Sequence, residues 1–213
     1  MHVVSKVQVP RRRLSVADRR EQLLGVCLGL IGTQPWDVVS MTDVAVAAGV
    51  SKPLLYHYFS TKSDLYRATV RWAADELRDA TRLDPTLPVG PRLLGALRAH
   101  LDWIDDNALA YRAILQGGIS SDRNVQDIVE QSRAEVVRRL AQAFGLVDLA
   151  PAQRVVLRGW VGFLEGACLE WLNSREITKA HLAQLLAASI TPGALRAAAT
   201  HPPRTERSDE AAG

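Results

Sequence analysis

Hydrophobic residues return every three or four positions along most of this chain, and no stretch alternates apolar with polar as a strand would. That spacing matches the turn of a helix, so the chain reads as all-α, with about nine helices. The first runs from Ser15 to Gly32-Thr33 on a stripe of Val16, Leu23, Leu24, Cys27, Leu28 and Ile31, with Ser15 and Asp18 spaced as a capping box. Two short helices follow. One covers Thr42 to Ala48, with Val44 and Ala45 turned inward and Ser40 and Asp43 at its start; the other runs from Ser51 to about Tyr58. Ser60 and Asp64 open a fourth, which reaches about Leu83 through Leu65, Tyr66, Thr69, Val70, Trp72, Ala73 and Leu77. The segment Asp84 to Pro91, with Pro85, Pro88, Gly90 and Pro91, is the clearest break. The period then resumes in a helix to Asn107 on Leu93, Leu94, Leu97, Leu101 and Ile104, and a short one through Tyr111 to Leu115 that stops at Gly117-Gly118. A seventh covers roughly 122–144, with Val125, Val129, Ser132, Val136 and Leu140 in register. An eighth spans Ala150-Pro151 to Asn173-Ser174, and a ninth, capped by Thr178, carries Leu182, Leu185, Leu186 and Ile190 before Pro192-Gly193 weakens its end. The chain thus divides into a basic flexible arm (1–13), a helix-turn-helix unit (14–62), a connecting helix (63–83), a larger helical domain (84–200) and a loose tail (201–213).

The stretch Met41 to Lys62, MTDVAVAAGVSKPLLYHYFSTK, carries the most chemical information. Gly49 falls where the chain must turn sharply, and glycine accepts positive φ without steric cost. Ser51 is a good N-cap, and Pro53 lies in the first turn, where a missing N–H does no harm. The helix that follows carries Lys52, Tyr56, His57 and Tyr58 at spacings that cannot all be buried. Two helices joined by a tight glycine turn are the supersecondary signature of a reader of the DNA major groove, although two ordinary packing helices share part of the pattern. Lys52 is placed to reach a phosphate or a base edge, and Tyr56 and His57 to bond phosphate. Tyr58 either braces phosphate or packs under the first helix. Lys62 sits at a helix N-terminus, where free N–H groups and the dipole attract an anion. Thr42 offers a hydroxyl to phosphate or to its own helix start. Pro53 and Leu54 present apolar atoms of the kind that meet a thymine methyl. Arg11, Arg12 and Arg13 form either an arm along the DNA or a solvated tail.

The pattern T-x-x-x-[AV]-x-x-A-G-V-S-x-x-x-[LI]-Y-x-[HY]-F-x-x-K-x-x-L is met here by Thr42, Val46, Ala48 to Ser51, Leu55-Tyr56, Tyr58-Phe59, Lys62 and Leu65. Over about residues 15–66 the chain resembles the TetR family of bacterial transcriptional regulators. The resemblance implies that Thr42, Ser51, Lys52, Pro53, Leu54, Tyr56, His57, Tyr58 and Lys62 lie where the family touches operator DNA. It also implies a small-molecule pocket in the larger domain, and repression as the commoner outcome of DNA binding.

Charge agrees with that division. Residues 1–67 hold nine Lys and Arg against five Asp and Glu, whereas the remainder is nearly balanced, so positive charge gathers where phosphate binding needs it. The most apolar stretch, Val155 to Leu172, contains Arg158, Glu165 and Glu170 and is no membrane span. The N-terminus has basic residues but no apolar core with a cleavage site, so a cytoplasmic protein without membrane contact is expected. Cys27 and Cys168 read as small core residues rather than as a disulfide or metal pair. Ser120, Ser121, His100 and Asp102 have no nucleophile elbow or metal spacing around them, so no enzyme and no cofactor are expected.

The eighth helix is apolar nearly all round, from Val155 and Val156 through Trp160 and Phe163 to Trp171 and Leu172. Such a helix must be covered on two sides, one by its own domain and one by a partner. With the ninth helix it predicts a homodimer built on a four-helix interface. Gly159, Gly162 and Gly166 lie on one side of it, which suits close backbone approach there, or space for a ligand. His100, Trp103, Tyr111, Gln116, Trp160 and Phe163 are candidates to line the pocket, and their character predicts a mainly apolar effector with one polar anchor. The tract from Tyr111-Arg112 to Gly162-Phe163 resembles regulators that sense long-chain fatty acyl groups. The expected protein is a ligand-responsive regulator, a repressor released from double-stranded operator DNA. A small-molecule carrier of the same fold without DNA binding is the alternative.

Overall fold

Hydroxyl side chains set the starts of the helices that form the head of this molecule. In the computed structural model, which describes residues 14–116 and 123–199, Ser15 Oγ accepts from Asp18 N at 3.0 Å and opens α1 (Val16–Thr33). Ser40 does the same with Asp43 N at 3.1 Å for α2 (Met41–Ala47), and the Asp43 carboxylate returns to Ser40 N at 2.8 Å. Ser51 caps α3 (Lys52–Tyr58) through Leu54 N at 3.3 Å. The cap of α4 (Lys62–Ala80) is Thr61 rather than Ser60: its hydroxyl accepts from Asp64 N at 3.0 Å, three residues on, a reach that Ser60 lacks. α4 also stops before Leu83. The Thr81 hydroxyl folds back to the Leu77 carbonyl at 2.7 Å, and Arg139 takes carbonyls at the helix end.

The rest is α5 (Val89–Asp106), α6 (Ala108–Gln116), α7 (Arg123–Ala143), α8 (Pro151–Ser174), α9 (Lys179–Ala188) and α10 (Pro192–Ala199). The all-α architecture is the expected one, with a short helix beyond the ninth. Thr191 Oγ accepts from Ala194 N at 3.2 Å and Pro192 fits the first turn, so the residues read as a fraying end start a helix of their own. The arm 1–13 with its arginines, the stop at Gly117-Gly118, Ser120, Ser121 and the tail from 201 lie outside the described residues. Among the described residues no helix is long and apolar enough to cross a membrane, and no cluster of His, Cys, Asp and Glu is arranged to hold a metal.

Two large apolar cores result, with a small third cluster of Leu28, Ala73 and Ala110 where α1, α4 and α6 meet. One, centred on Leu23, Leu24, Val44, Leu55 and Leu65, joins α1 to α4 and takes in Val125 and Ile128 of α7. The other, centred on Leu97, Leu101, Leu157, Leu164 and Leu186, joins α5 to α10. Cys27 and Cys168 lie one in each, both free, their thiols pushed up by burial to about 11 and about 12. Buried Gln153 ties α8 to α10: its Oε1 accepts from Ala150 N and its Nε2 donates to the Leu195 carbonyl, both at 3.0 Å. Val16 leaves the stripe assigned to it and is 73% exposed, because the first turn of α1 projects past the core.

α1 meets α6 backbone to backbone. A methyl group at Gly32 would lie 2.5 Å from Leu109 Cβ and 2.9 Å from Ala110 N, and backbone atoms cannot step aside. Gly32→Ala is therefore expected to lower stability by about 1–3 kcal/mol. Thermal unfolding followed by circular dichroism checks this, and an unchanged Tm would mean that α1 and α6 separate readily.

Candidate nucleic-acid interface and interior cavity

The turn between α2 and α3 is fixed by backbone chemistry. Gly49 has φ +64°, its N–H donates to the Val46 carbonyl at 3.1 Å, and Val50 N donates to Ala45 O at 3.0 Å. This double closure is a Schellman motif, which needs a left-handed residue at its corner. Leu55 and Phe59 then anchor α3 in the core, at 0% and 4% exposure. Anchoring that face turns the opposite one outward. Lys52, Pro53, Tyr56 and His57 are exposed, Leu54 and Tyr58 are half-buried, and Thr42 is exposed at the start of α2. The His57 and Tyr58 rings meet edge to face at 5.6 Å. The Ser51 hydroxyl is engaged in its cap.

Lys62 has partners within the chain. Its Nζ donates to the Asp37 carbonyl at 2.8 Å and lies 5.1 Å from the centre of the Trp36 ring, which stacks on Tyr66 at 4.6 Å. It pins the α1–α2 connector to the start of α4 and keeps further ammonium protons for an anion. Arg20, not singled out from the sequence, lies over the Phe59 ring at 5.3 Å.

α4 leaves this head and walls a cavity of about 510 Å³ with α5, α7 and α8, through Ala74, Leu77, Leu97, Val136 and Leu164. A smaller chamber of about 100 Å³ adjoins it toward α6. His100 lines both, Trp160 the larger, and Trp103 and Tyr111 the smaller. Gln116 and Phe163 line neither. Gln116 is exposed at the end of α6, and Phe163 is 51% exposed on the outer side of α8, because the inward side belongs to Trp160 and Leu164. Trp160 is held by its Nε1, which donates to Ser189 Oγ at 2.8 Å.

Among the described residues, two polar atoms in this apolar space lack hydrogen-bond partners: His100 Nε2 and Tyr111 Oη, on rings 6.2 Å apart. Burial pushes the His100 imidazole down to about 4 and raises the Tyr111 hydroxyl, so both are neutral near pH 7. The charge in the smaller chamber is self-contained. Arg133 Nε and Nη2 grip the two Glu165 oxygens, each at 2.8 Å, and this pairing raises the guanidinium's pKa further. Because the folded-state pKa of His100 lies below its unfolded value of about 6.5, the unfolded chain binds more protons between about 4 and 6.5. Stability should therefore fall on acidification through that window, by on the order of 2–3 kcal/mol for this group. Denaturant unfolding at pH 7 and pH 4.5 checks it: His100→Leu should lose less stability on acidification than the parent, and equal losses would place the imidazole in water.

The outer face of α8 is open. Val155 and Phe163 are 72% and 51% exposed, Leu185 of α9 is 48% exposed, and a Cβ on Gly159, Gly162 or Gly166 would meet nothing within 4 Å. The glycines make room for nothing within their own chain.

Comparison with known proteins places both halves. Residues 23–69 match the family described as "Bacterial regulatory proteins, tetR family", and residues 89–193 match "Tetracyclin repressor-like, C-terminal domain". The HTH-type transcriptional activator FasR of Mycolicibacterium smegmatis is 30% identical over 168 residues, covering 76% of each chain. A tetR-family transcriptional regulator from Streptomyces coelicolor has a similar structure, with TM-score 0.75, 32% identity, and coverage of 86% of this chain and 82% of that one. AibR in complex with isovaleryl coenzyme A and operator DNA shares the fold at TM-score 0.61 and 17% identity, over 82% of this chain and 98% of that one.

Proposed function

This chain belongs to the TetR family of bacterial transcriptional regulators, and on that premise we propose that it grips operator DNA as a homodimer and lets go when a mainly apolar small molecule fills its interior cavity. A DNA-binding regulator is what its relatives are named, rather than an enzyme. The observation that carries the switch is that one helix serves both ends. α4 packs into the head through Leu65, Tyr66 and Val70 and walls the cavity through Ala74 and Leu77. A ligand that prefers one tilt of α4 therefore biases the position of the head. A coupling of about 1–3 kcal/mol changes DNA affinity roughly 5- to 150-fold.

On the DNA side, Lys52, Tyr56 and His57 supply phosphate and base-edge contacts, joined by Thr42, Pro53 and Leu54, with Ser51, Tyr58 and Lys62 holding the reading helix and its neighbours in place. On the ligand side, His100 and Tyr111 offer a neutral pair of hydrogen-bonding groups. With Arg133 already paired to Glu165, the polar anchor suits a carbonyl or hydroxyl better than a buried free charge. An acyl chain with its carbonyl at that pair fits this chemistry. The AibR complex supports the acyl part of the reading, since a protein of the same fold binds an acyl thioester. Two-fold pairing through the open faces of α8 and α9 would set the two heads about one DNA turn apart. Loss of DNA affinity ends repression where the operator overlaps a promoter, and ends activation where the bound protein recruits polymerase; FasR is named an activator.

The test is operator affinity by fluorescence anisotropy, with and without acyl ligands shown to bind by calorimetry. The reading expects affinity to fall 5-fold or more, on the order of the coupling above. Unchanged DNA affinity with ligand demonstrably bound contradicts the switch, and DNA binding absent under all conditions would favour a carrier of the same fold.

A further inference from the structure

Beside the apolar cavity lies a groove of about 510 Å³, between the C-terminal end of α4, the loop before α5 and the outer side of α7. Arg78, Arg82, Arg92, Arg138 and Arg139 line it, against the carboxylates of Asp79 and Glu135. Groove and cavity share Arg78, Leu83, Glu135 and Arg139, so a single elongated molecule can occupy both. Resting on the reading of the interior cavity as the effector site, we propose that this groove binds the phosphate-bearing head of an acyl ligand whose chain lies inside.

Arg78 pairs with Asp75 and Asp79, Arg82 with Asp79 and Arg138 with Glu135, which leaves Arg92 and Arg139 to meet an incoming anion. Arg92 is held open by backbone carbonyls, donating to Pro85 O at 2.9 Å and to Leu87 O at 2.7 and 3.1 Å. Arg139 likewise donates to Arg78 O at 3.2 Å, to Thr81 Oγ at 3.3 Å and to the Thr81 carbonyl. Among the described residues, neither hydrogen-bonds a carboxylate. Burial lowers the pKa of Arg139, Glu135 opposes that, and the neighbouring Arg78, Arg138 and Arg82 push the same way as burial. A guanidinium among other cations gains from a phosphate oxygen, whose geometry its planar fork matches. Five guanidinium groups against two carboxylates leave the groove net positive, which suits a multiply charged head better than a single carboxylate. The site is not an extension of the DNA surface: Lys62 to Arg78 along α4 is about 24 Å at 1.5 Å per residue.

Occupation of the groove also acts on the switch. Arg139 now satisfies carbonyls at the end of α4. A phosphate competes for that guanidinium and loosens the hold of α7 on the helix that carries the head. The head group thereby adds to whatever the chain does inside.

The test measures binding of dodecanoyl-coenzyme A, dodecanoyl lysophosphatidic acid, dodecanoic acid and dodecanol by calorimetry at low and high salt. The parent protein is compared with the double variant Arg82→Gln, Arg138→Gln. Those two side chains are 77% and 56% exposed, so their loss leaves the core intact. The phosphate-bearing ligands should bind about tenfold or more tightly than dodecanol at low salt, with the advantage shrinking as salt rises. The double variant should lose that advantage while binding dodecanol as before. Preference for the coenzyme A ester assigns a nucleotide-type head, and preference for the lysophosphatidic acid a lipid phosphate. Equal affinity for the phosphate-bearing ligands and dodecanol, indifferent to salt and to the variant, overturns the groove while leaving the apolar effector site standing. Failure of every chain to bind overturns the effector site and the groove with it.

Discussion

Gly162→Trp is expected to leave a folded chain that no longer pairs and that has lost at least a hundredfold in operator affinity. The two halves of this expectation have separate causes. A Cβ at Gly162 meets nothing within 4 Å, so the indole projects from α8 without disturbing its own core. In the proposed dimer the same surface would face another α8, and a large ring there would hold the helices apart. A lone head then binds without its tethered twin, and linkage of two modules typically contributes a factor of about 10²–10⁴ to affinity. Sedimentation gives the oligomeric state and anisotropy gives the DNA affinity. A variant that remains dimeric at parental concentrations would remove the outer face of α8 from the interface.

Lys52→Ala with Tyr56→Ala is expected to reduce operator affinity by a hundredfold or more without a change in Tm. Both side chains are exposed, and α3 is held by Leu55 and Phe59 on its other face, so stability should not report their loss. Hydrogen bonds to charged groups contribute about 1.5–3 kcal/mol each, and in the proposed two-fold dimer every contact is made twice. The salt dependence separates the roles. If Lys52 neutralises a phosphate in each half-site, the slope of log affinity against log salt should flatten by about 0.9 per phosphate lost. A slope that does not change would move Lys52 to a base edge. Unchanged affinity would take the outer face of α3 off the DNA.

What could be read along the chain and what could not divides by the range of the forces. The head was legible because its determinants are local. A hydroxyl three residues before an amide, a glycine at a forced left-handed corner and a proline in a first turn are decided within a few residues of one another. Where two hydroxyls stand side by side, as at Ser60 and Thr61, only the geometry decides which one caps. Lys62 shows the same limit, since its partners at Trp36 and Asp37 lie some two dozen residues back. The cavity depends on how α4, α5, α7 and α8 meet, and no single segment states that. Among the residues chosen for their chemistry, His100, Trp103, Tyr111 and Trp160 line it, whereas Phe163 sits on the other apolar side of α8. A helix apolar on two sides does not announce which side is its own domain's. Nothing along the chain sets the arginines of the groove apart, because Arg78 on α4, Arg92 on α5 and Arg139 on α7 become neighbours only through folding.

The central claim is that paired heads read duplex DNA through the outward face of α3. The most direct test is to incubate the protein with fragmented genomic DNA and sequence what it retains. The account predicts a few sites with two inverted half-sites about one helical turn apart, retained by the parent protein and not by the variant lacking Lys52 and Tyr56. Retained fragments with no shared inverted sequence, or the same fragments held equally by both proteins, would contradict it.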